Sequence, residues 1–203
     1  MATIQRTAAA PFLETHQRTA MSPPGLPLPT DAELSADATR ILGKLPPLNV
    51  FRAVAGIPAA LRPFLQLGGA LLAGEHLTAA ERELAILRVA YLTEAPYERH
   101  QHEQLARLAG LTQSEIDATT LEHPAAQLGP DHALICQATD EITASVRLAD
   151  DTLALVRTRW GDPGARELIL VVAYYNMVSR FLESARVPLE GRDLLGEGFA
   201  GPG

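Results

Sequence analysis

Residues 78–116 decide the fold of this chain, and they read TAAERELAILRVAYLTEAPYERHQHEQLARLAGLTQSEI. Near each end of the segment, a threonine precedes a glutamate by three positions. This spacing matches the capping box, in which the two side chains satisfy backbone N–H groups at a helix start. A proline-containing turn at 94–96 and Gly110 provide two helix stops. The segment therefore predicts successive helices at about 79–93, 97–109 and 113–119.

Outside this segment, helix signals recur and strand signals are almost absent. An all-α fold class follows from this pattern. The further predicted helices lie at about 31–43, 49–55, 58–72, 131–147, 151–160 and 164–185. We expect one helical domain at 30–190, preceded by a disordered or extended segment at 1–29 and followed by a flexible Gly-rich tail at 191–203.

The composition excludes several classes of partner. The 203 residues carry a formal net charge of −7, and a nucleic-acid partner is not expected because phosphate binding needs concentrated lysine and arginine. No apolar run approaches the ~20 residues of a membrane-spanning helix, so no membrane partner is expected. Cys136 is the single cysteine, which leaves no C-x-x-C pair and no internal disulfide. This usage fits a reducing compartment, and we expect a cytoplasmic protein.

Three ionisable side chains on the first two helices of the segment are candidates for proton transfer: Glu83, Glu98 and His102. Glu83 shares a helical face with Ile86 and Leu87, where a carboxylate is costly unless it is paired or functional. Glu98 precedes His102 by four positions, so the two are neighbours on one face and the carboxylate can fix the imidazole tautomer. The ordinary alternatives are a first-turn glutamate and an exposed helical ion pair. One histidine and two carboxylates could also hold Fe(II) or Zn(II) as a facial triad, but the set offers a single nitrogen ligand, and we expect no metal.

Helix 164–185 is apolar nearly all round, which is unusual for a helix on the surface of a small domain. Such a helix needs covering on most of its surface. We therefore expect a homo-oligomer, either a dimer, a trimer or a hexamer, in which a second copy of the chain supplies the cover.

Several segments together resemble the core of the carboxymuconolactone decarboxylase and alkylhydroperoxidase D superfamily. They are ERELAILRVA at 81–90, Tyr97-Glu98, His102, and GLTQSEI at 110–116. The resemblance extends over roughly 30–190 and implies an alkylhydroperoxidase D-like helical bundle. In the peroxidase branch it places Glu83 and His102 at the positions of a functional glutamate and histidine, but Ala95 and Glu98 at the positions of the two cysteines. Without a thiolate, thiol peroxidase activity is not expected.

The decarboxylase branch of the superfamily works on a lactone acid without a cofactor, and the resemblance implies no cofactor here. Loss of CO2 leaves electron density that a positioned acid must then protonate. We expect His102 to be this acid, oriented by Glu98, with Glu83 as the third catalytic residue. Arginines are expected to hold a substrate carboxylate and tyrosines to shape the pocket. The expected substrate-binding residues are Tyr97, Arg88, Arg99 and Tyr174.

Three hypotheses for the function follow. The leading one is a cofactor-independent acid–base enzyme, either a decarboxylase, an isomerase or a lyase, that acts on a small organic acid or lactone. One alternative is a peroxidase-like, alkylhydroperoxidase D-like oxidoreductase. The other is a non-catalytic oligomeric protein that binds a small ligand, because a scaffold can persist without its chemistry.

Overall fold

The structure, a computed structural model, describes residues 25–190. Within these residues the backbone forms α-helices and one short 3₁₀ helix and no strand, which confirms the all-α fold class. The helices are α1 (Ala36–Leu42), α2 (Asn49–Ala55), α3 (Pro58–Leu72), α4 (Ala79–Leu92), α5 (Pro96–Leu108), α6 (Gln113–Ala118), the 3₁₀ helix (Pro124–Gln127), α7 (Pro130–Ser145) and α8 (Asp150–Ala185). The predicted Gly-rich tail and most of the predicted N-terminal segment lie outside the described residues.

Helix α4 begins where the capping box predicts it. The hydroxyl of Thr78 accepts a hydrogen bond from the backbone N–H of Glu81 at 3.2 Å, and the Glu81 carboxylate accepts one from the backbone N–H of Thr78 at 2.7 Å. The same reciprocal pair at Thr112 and Glu115 opens α6. Gly110, with φ at 96°, separates α5 from α6 in a conformation that favours glycine.

Helix α1 starts later than the sequence predicts. Thr30 and Glu33 do interact, because the Glu33 carboxylate accepts from both the backbone N–H and the hydroxyl of Thr30 at 2.8 Å. This contact closes only a turn. The helix starts after Ser35, whose hydroxyl accepts from the backbone N–H of Ala38 at 3.1 Å. A serine five positions on therefore competes successfully as the N-cap.

Helix α8 joins the two segments that the sequence predicts at 151–160 and 164–185. The break between them is Gly161, with φ at 68° and ψ at 177°, a backbone conformation that residues with a side chain rarely adopt. Pro163 follows directly after the break and lacks the N–H that a straight helix would need. Helix α8 is therefore continuous along the chain but kinked at Gly161.

Helix α4 is the centre of the core. All ten residues from 81 to 90 are buried, and α4 packs against α5, α7 and α8. Its apolar side chains, Leu84, Ile86 and Leu87 among them, have no exposed surface. Because charged residues are included in this buried run, each of them needs a partner inside the protein. The site described below arises from that requirement.

The second half of α8 leaves part of its apolar surface uncovered. Ile169, Leu170 and Met177 are 36%, 47% and 47% exposed in the single chain. The predicted homo-oligomer would cover such a surface, and it stays a prediction. Among residues 25–190, no helix combines the length and the apolar character that crossing a bilayer requires.

Candidate active site

The site is built on two adjacent helices that the sequence places correctly. The capping box sets Glu83 in the second turn of α4, and Pro96 at the start of α5 sets Glu98 in its first turn and His102 one turn later. The imidazole Nδ1–H of His102 donates to the Glu83 carboxylate across the two helices, with Nδ1 and Oε2 2.7 Å apart. Glu83, Glu98 and His102 are 6%, 4% and 6% exposed. The three groups therefore meet in a sheltered region.

The partner of His102 differs from the one that the sequence predicts. We expected Glu98 to orient the imidazole from one turn away, but Glu83 on the neighbouring helix holds it instead. Within residues 25–190, the Glu98 carboxyl accepts and donates no hydrogen bond. Spacing along one helix makes Glu98 and His102 neighbours. The packing of α4 against α5, however, brings the carboxylate of Glu83 within hydrogen-bond distance of the imidazole, so Glu83 and not Glu98 holds it.

Burial and neighbouring charges set the protonation of the cluster. Burial raises the pKa of Glu98 from 4.5 to about 7, with a smaller opposing effect of His102 and a further increase from Glu83. Burial acts to lower the pKa of His102. The charge and hydrogen bond of Glu83, together with the charge of Glu98, outweigh burial and raise the pKa of His102 overall. Glu98 thus exchanges its proton near neutral pH, which suits a general acid or base.

Tyr175 on α8 is a fourth member of the cluster, and the sequence interpretation did not select it. Its ring meets the His102 ring edge-on, with centroids 4.9 Å apart and planes at 86°. Burial, followed by the charges of Glu98 and Glu83, raises its pKa well above the ordinary value. Tyr175 is 5% exposed, and its hydroxyl has no hydrogen-bond partner in the described part of the chain. Only its place on an apolar helix beside Tyr174 hinted at such a role.

Tyr174, which we expected to bind substrate, has a structural contact instead. Its hydroxyl donates to the backbone carbonyl of Phe64 at 3.0 Å and lies over Gly68, where a Cβ atom would stand 2.7 Å from the hydroxyl oxygen. The glycine lets α3 approach α8 this closely. The adjacent tyrosine on α8 thus faces the cluster while Tyr174 fixes α3.

Arg88, which we expected to hold a substrate carboxylate, is paired with groups of the protein itself. Its guanidinium forms a two-pronged ion pair with Asp140 of α7, at 2.5 and 2.8 Å, and also donates to the backbone carbonyls of Thr119 and Leu121. Arg88 is 2% exposed. Four of its five N–H donors fix α4 against α7 and the segment after α6, which indicates a structural role.

Arg99 and Tyr97 are also occupied elsewhere. Arg99 pairs with Glu103 one turn along α5 at 2.7 Å. The hydroxyl of Tyr97 donates to the Glu190 carboxylate at 2.5 Å and accepts from the backbone N–H of Val50 at 3.1 Å. Tyr97 therefore ties the end of the described chain to α2 and α5.

The single cysteine lies outside the cluster. Cys136 is fully buried on α7 beside Arg88 and Asp140, and burial raises the pKa of its thiol to about 12. A thiolate is the reactive form, so this side chain is unreactive in the folded protein. The positions that the resemblance assigns to a cysteine pair hold Ala95 and Glu98, and both are buried.

Within residues 25–190, neither a surface groove nor a metal site offers a better candidate. An open groove of about 710 Å³ lies between the 3₁₀ helix, α7 and the first part of α8, and none of the four cluster residues lines it. Its walls contain no arrangement of a buried acid and base. Across residues 25–190, no group of three histidine, cysteine, aspartate or glutamate side chains is arranged to hold a metal ion. The cluster on α4, α5 and α8 is therefore the candidate site.

Comparisons with known proteins agree with this architecture. The chain is similar to an alkylhydroperoxidase AhpD core, an uncharacterized peroxidase-related protein from Ralstonia eutropha JMP134, with a TM-score of 0.73, 18% identity, and coverage of 84% of this chain and 94% of that one. An uncharacterized peroxidase-related protein from Silicibacter sp. TM1040 gives a TM-score of 0.73, 18% identity, and coverage of 85% and 96%. The debrominase Bmp8 in complex with 2,3,4-tribromopyrrole gives a TM-score of 0.58 and 15% identity, with coverage of 75% of this chain and 81% of that one. At these identities the likeness shows the fold alone.

The sequence comparisons find one family model that matches the helices carrying the cluster. No curated protein matches the chain significantly. The model of the carboxymuconolactone decarboxylase family matches residues 58–130, a range that includes α4 and α5 with Glu83, Glu98 and His102. Over this range the chain is therefore similar to the carboxymuconolactone decarboxylase family, and its helical fold is shared with the alkylhydroperoxidase AhpD core.

Proposed function

We propose that this protein is a cofactor-independent enzyme that moves a proton on a small carbonyl compound of the lactone or organic-acid type. Decarboxylases, isomerases and many lyases share this step, because each creates or removes a carbanion next to a carbonyl group. The observation that carries the proposal is the Glu98 carboxyl, which is buried, has no hydrogen bond within the described residues, and has a pKa of about 7. Such a group can take or give a proton at neutral pH.

His102 and Glu83 support this role as a pair. Glu83 holds Nδ1 of the imidazole, which fixes the ring and leaves Nε2 without a hydrogen bond to any described residue. The charge on His102 lowers the pKa of Glu98, so the imidazole favours the carboxylate form that can accept a proton. In this division of roles Glu98 contacts the substrate, His102 adjusts its acidity, and Glu83 positions His102.

Peroxide chemistry is the weaker alternative. The described chain offers no accessible thiol, since Cys136 is buried with a pKa of about 12. One protein with this fold is a debrominase, which indicates that the scaffold supports more than peroxide chemistry. A proton-transfer site is the better fit to the residues that this chain retains.

Solvent deuterium exchange tests the proposal without knowledge of the natural substrate. The protein is incubated in D2O with a panel of enolisable lactones and keto acids, and loss of the C–H signal next to the carbonyl is followed by proton NMR. We expect exchange above the buffer rate for at least one compound, reduced about a hundredfold or more by Glu98→Gln. Glu122→Gln, which removes an exposed carboxylate, is the matched control.

Equal exchange rates for Glu98→Gln and the unmodified protein would contradict the assigned role. The hypothesis of a non-catalytic binding protein predicts a different result. In that case a compound of the panel raises the melting temperature of the protein but shows no exchange above the buffer rate.

A further inference from the structure

The positive charges around the cluster are already neutralised. Each of the four arginines on α4 and α5 forms an ion pair with a carboxylate of the described chain. The pairs are Arg82 with Glu167, Arg88 with Asp140, and Arg99 and Arg107 with Glu103. An incoming carboxylate would therefore meet Glu83 and Glu98 but no unpaired guanidinium from these two helices. Burying an anion without a partner is costly, and the like charges of the glutamates increase that cost.

Hydrogen-bond donors, by contrast, are available. The hydroxyl of Tyr175 has no partner among residues 25–190, and the protonated Glu98 carboxyl also carries an unused O–H group. The Tyr175 ring contacts His102, and the charge of Glu98 acts on both His102 and Tyr175, so the two groups lie close to the same imidazole. Neither is completely sealed, since Tyr175 and Glu98 retain 5% and 4% exposure. A carbonyl oxygen, which accepts hydrogen bonds and carries no net charge, is the complementary ligand group.

We propose that the site takes an uncharged carbonyl compound, such as a lactone or ketone, and that the Tyr175 hydroxyl binds its carbonyl oxygen. This inference rests on the proposed function and narrows its substrate class. It removes carboxylate-bearing acids from the expected substrates. It also makes Tyr175, rather than an arginine, the residue that orients the substrate.

The proton-transfer step then balances within the site. The Glu98 carboxylate takes the proton from the carbon next to the carbonyl, the C–H electron pair forms a carbon–carbon double bond, and the carbonyl electron pair moves to oxygen. Tyr175 donates a hydrogen bond to this oxygen as its negative charge develops. Glu98 then protonates the enolate: at the same carbon after its O–H has exchanged with solvent, which gives hydrogen exchange, or at the far end of a conjugated system, which gives isomerisation. No other reactant is consumed.

A consequence for the reaction type follows. Decarboxylation requires a carboxylate on the substrate, and α4 and α5 offer no unpaired arginine that would hold one. Isomerisation by proton transfer requires only an acidic C–H bond and a carbonyl group. Within the proposed function, the inference therefore favours isomerase chemistry over decarboxylation.

A pair of probes with the same carbon skeleton tests the inference. The uncharged probe is α-angelica lactone, whose isomerisation to β-angelica lactone moves one proton through a dienolate. The anionic probe is levulinate, its ring-opened form, which keeps an enolisable ketone but adds a carboxylate. Deuterium exchange and isomerisation are followed by NMR in D2O, and binding is measured from the shift in melting temperature.

With each rate expressed relative to the same probe's own rate in buffer, we expect enhanced exchange of the lactone and an enhancement at least tenfold smaller for levulinate. Tyr175→Phe should slow lactone exchange by about a hundredfold, the effect of removing one donor to a developing oxyanion. Tyr91→Phe is the control, because Tyr91 is a partly exposed tyrosine on α4 outside the cluster. It should leave the rate unchanged.

The outcomes separate this inference from the proposed function. Comparable exchange of both probes, or an unchanged rate in Tyr175→Phe, overturns the inference and leaves proton transfer intact. Lactone binding that weakens in Tyr175→Phe, with no exchange, supports the inference about the ligand and overturns the proposed catalysis. If neither probe binds or exchanges, both are overturned.

Discussion

Replacing Glu98 by glutamine should change how the stability of the protein depends on pH. The folded protein raises the pKa of Glu98 from 4.5 to about 7 because burial disfavours the charged form. Between these two values the unfolded chain has released the proton while the folded protein retains it. The unfolding free energy therefore falls as pH rises, and the contribution is present in full below pH 4.5 and lost as pH passes through about 7.

The magnitude follows from the interval between the two pKa values. At 1.36 kcal/mol for each pH unit, the interval corresponds to about 3 kcal/mol, of which about 2.5 kcal/mol falls between pH 5 and pH 8. Glutamine does not titrate, so the difference in unfolding free energy between Glu98→Gln and the unmodified protein isolates this contribution. Its pH-independent part, such as a changed hydrogen bond of the amide, cancels. His102 also has a raised pKa and acts in the same direction; it is present in both proteins, so only the smallest part of its shift, which comes from the charge of Glu98, differs between them.

Urea denaturation at a series of pH values, followed by circular dichroism, measures the effect. The variant should gain stability relative to the unmodified protein as pH rises from about 5 to 8. Glu122→Gln, which removes an exposed carboxylate, should show almost no such gain. If the difference for Glu98→Gln is constant across this range, then the folded protein does not hold Glu98 in a sheltered, protonated form. The proposed acid–base role would lose its basis.

Three further predictions concern the partners of buried groups. Glu83→Gln should lower the pKa of His102, because burial then acts against the charged imidazole without the carboxylate that opposes it, and an unchanged NMR titration would contradict this. Arg88→Met should lower the unfolding free energy by about 3 kcal/mol, since Asp140 and two backbone carbonyls lose their donor; a urea midpoint equal to that of the unmodified protein would argue against a structural role. Tyr97→Phe should cost about 1–2 kcal/mol in the same measurement through loss of two hydrogen bonds, and no change would show that they contribute nothing.

Much of the fold was accessible from the sequence because its signals are local. The capping boxes at Thr78 and Thr112 act over three residues, so the starts of α4 and α6 follow directly from the order of the residues. The start of α1 was wrong because Thr30 and Ser35 both offer a local cap and only the packed structure selects between them. The resemblance to the superfamily supplied the identity of the ionisable groups.

The assignment of roles within the site required the tertiary structure. The sequence alone determined that Glu83, Glu98 and His102 would lie on two successive helices, because helix starts and spacing are properties of short segments. Only the packing of α4 against α5, α7 and α8 decided that Glu83 holds the imidazole, that Arg88 is used by α7, and that Tyr175 joins the cluster. The physical reason is that a buried charge pairs with whichever group packing brings within about 3 Å, and such a group can be far away in sequence.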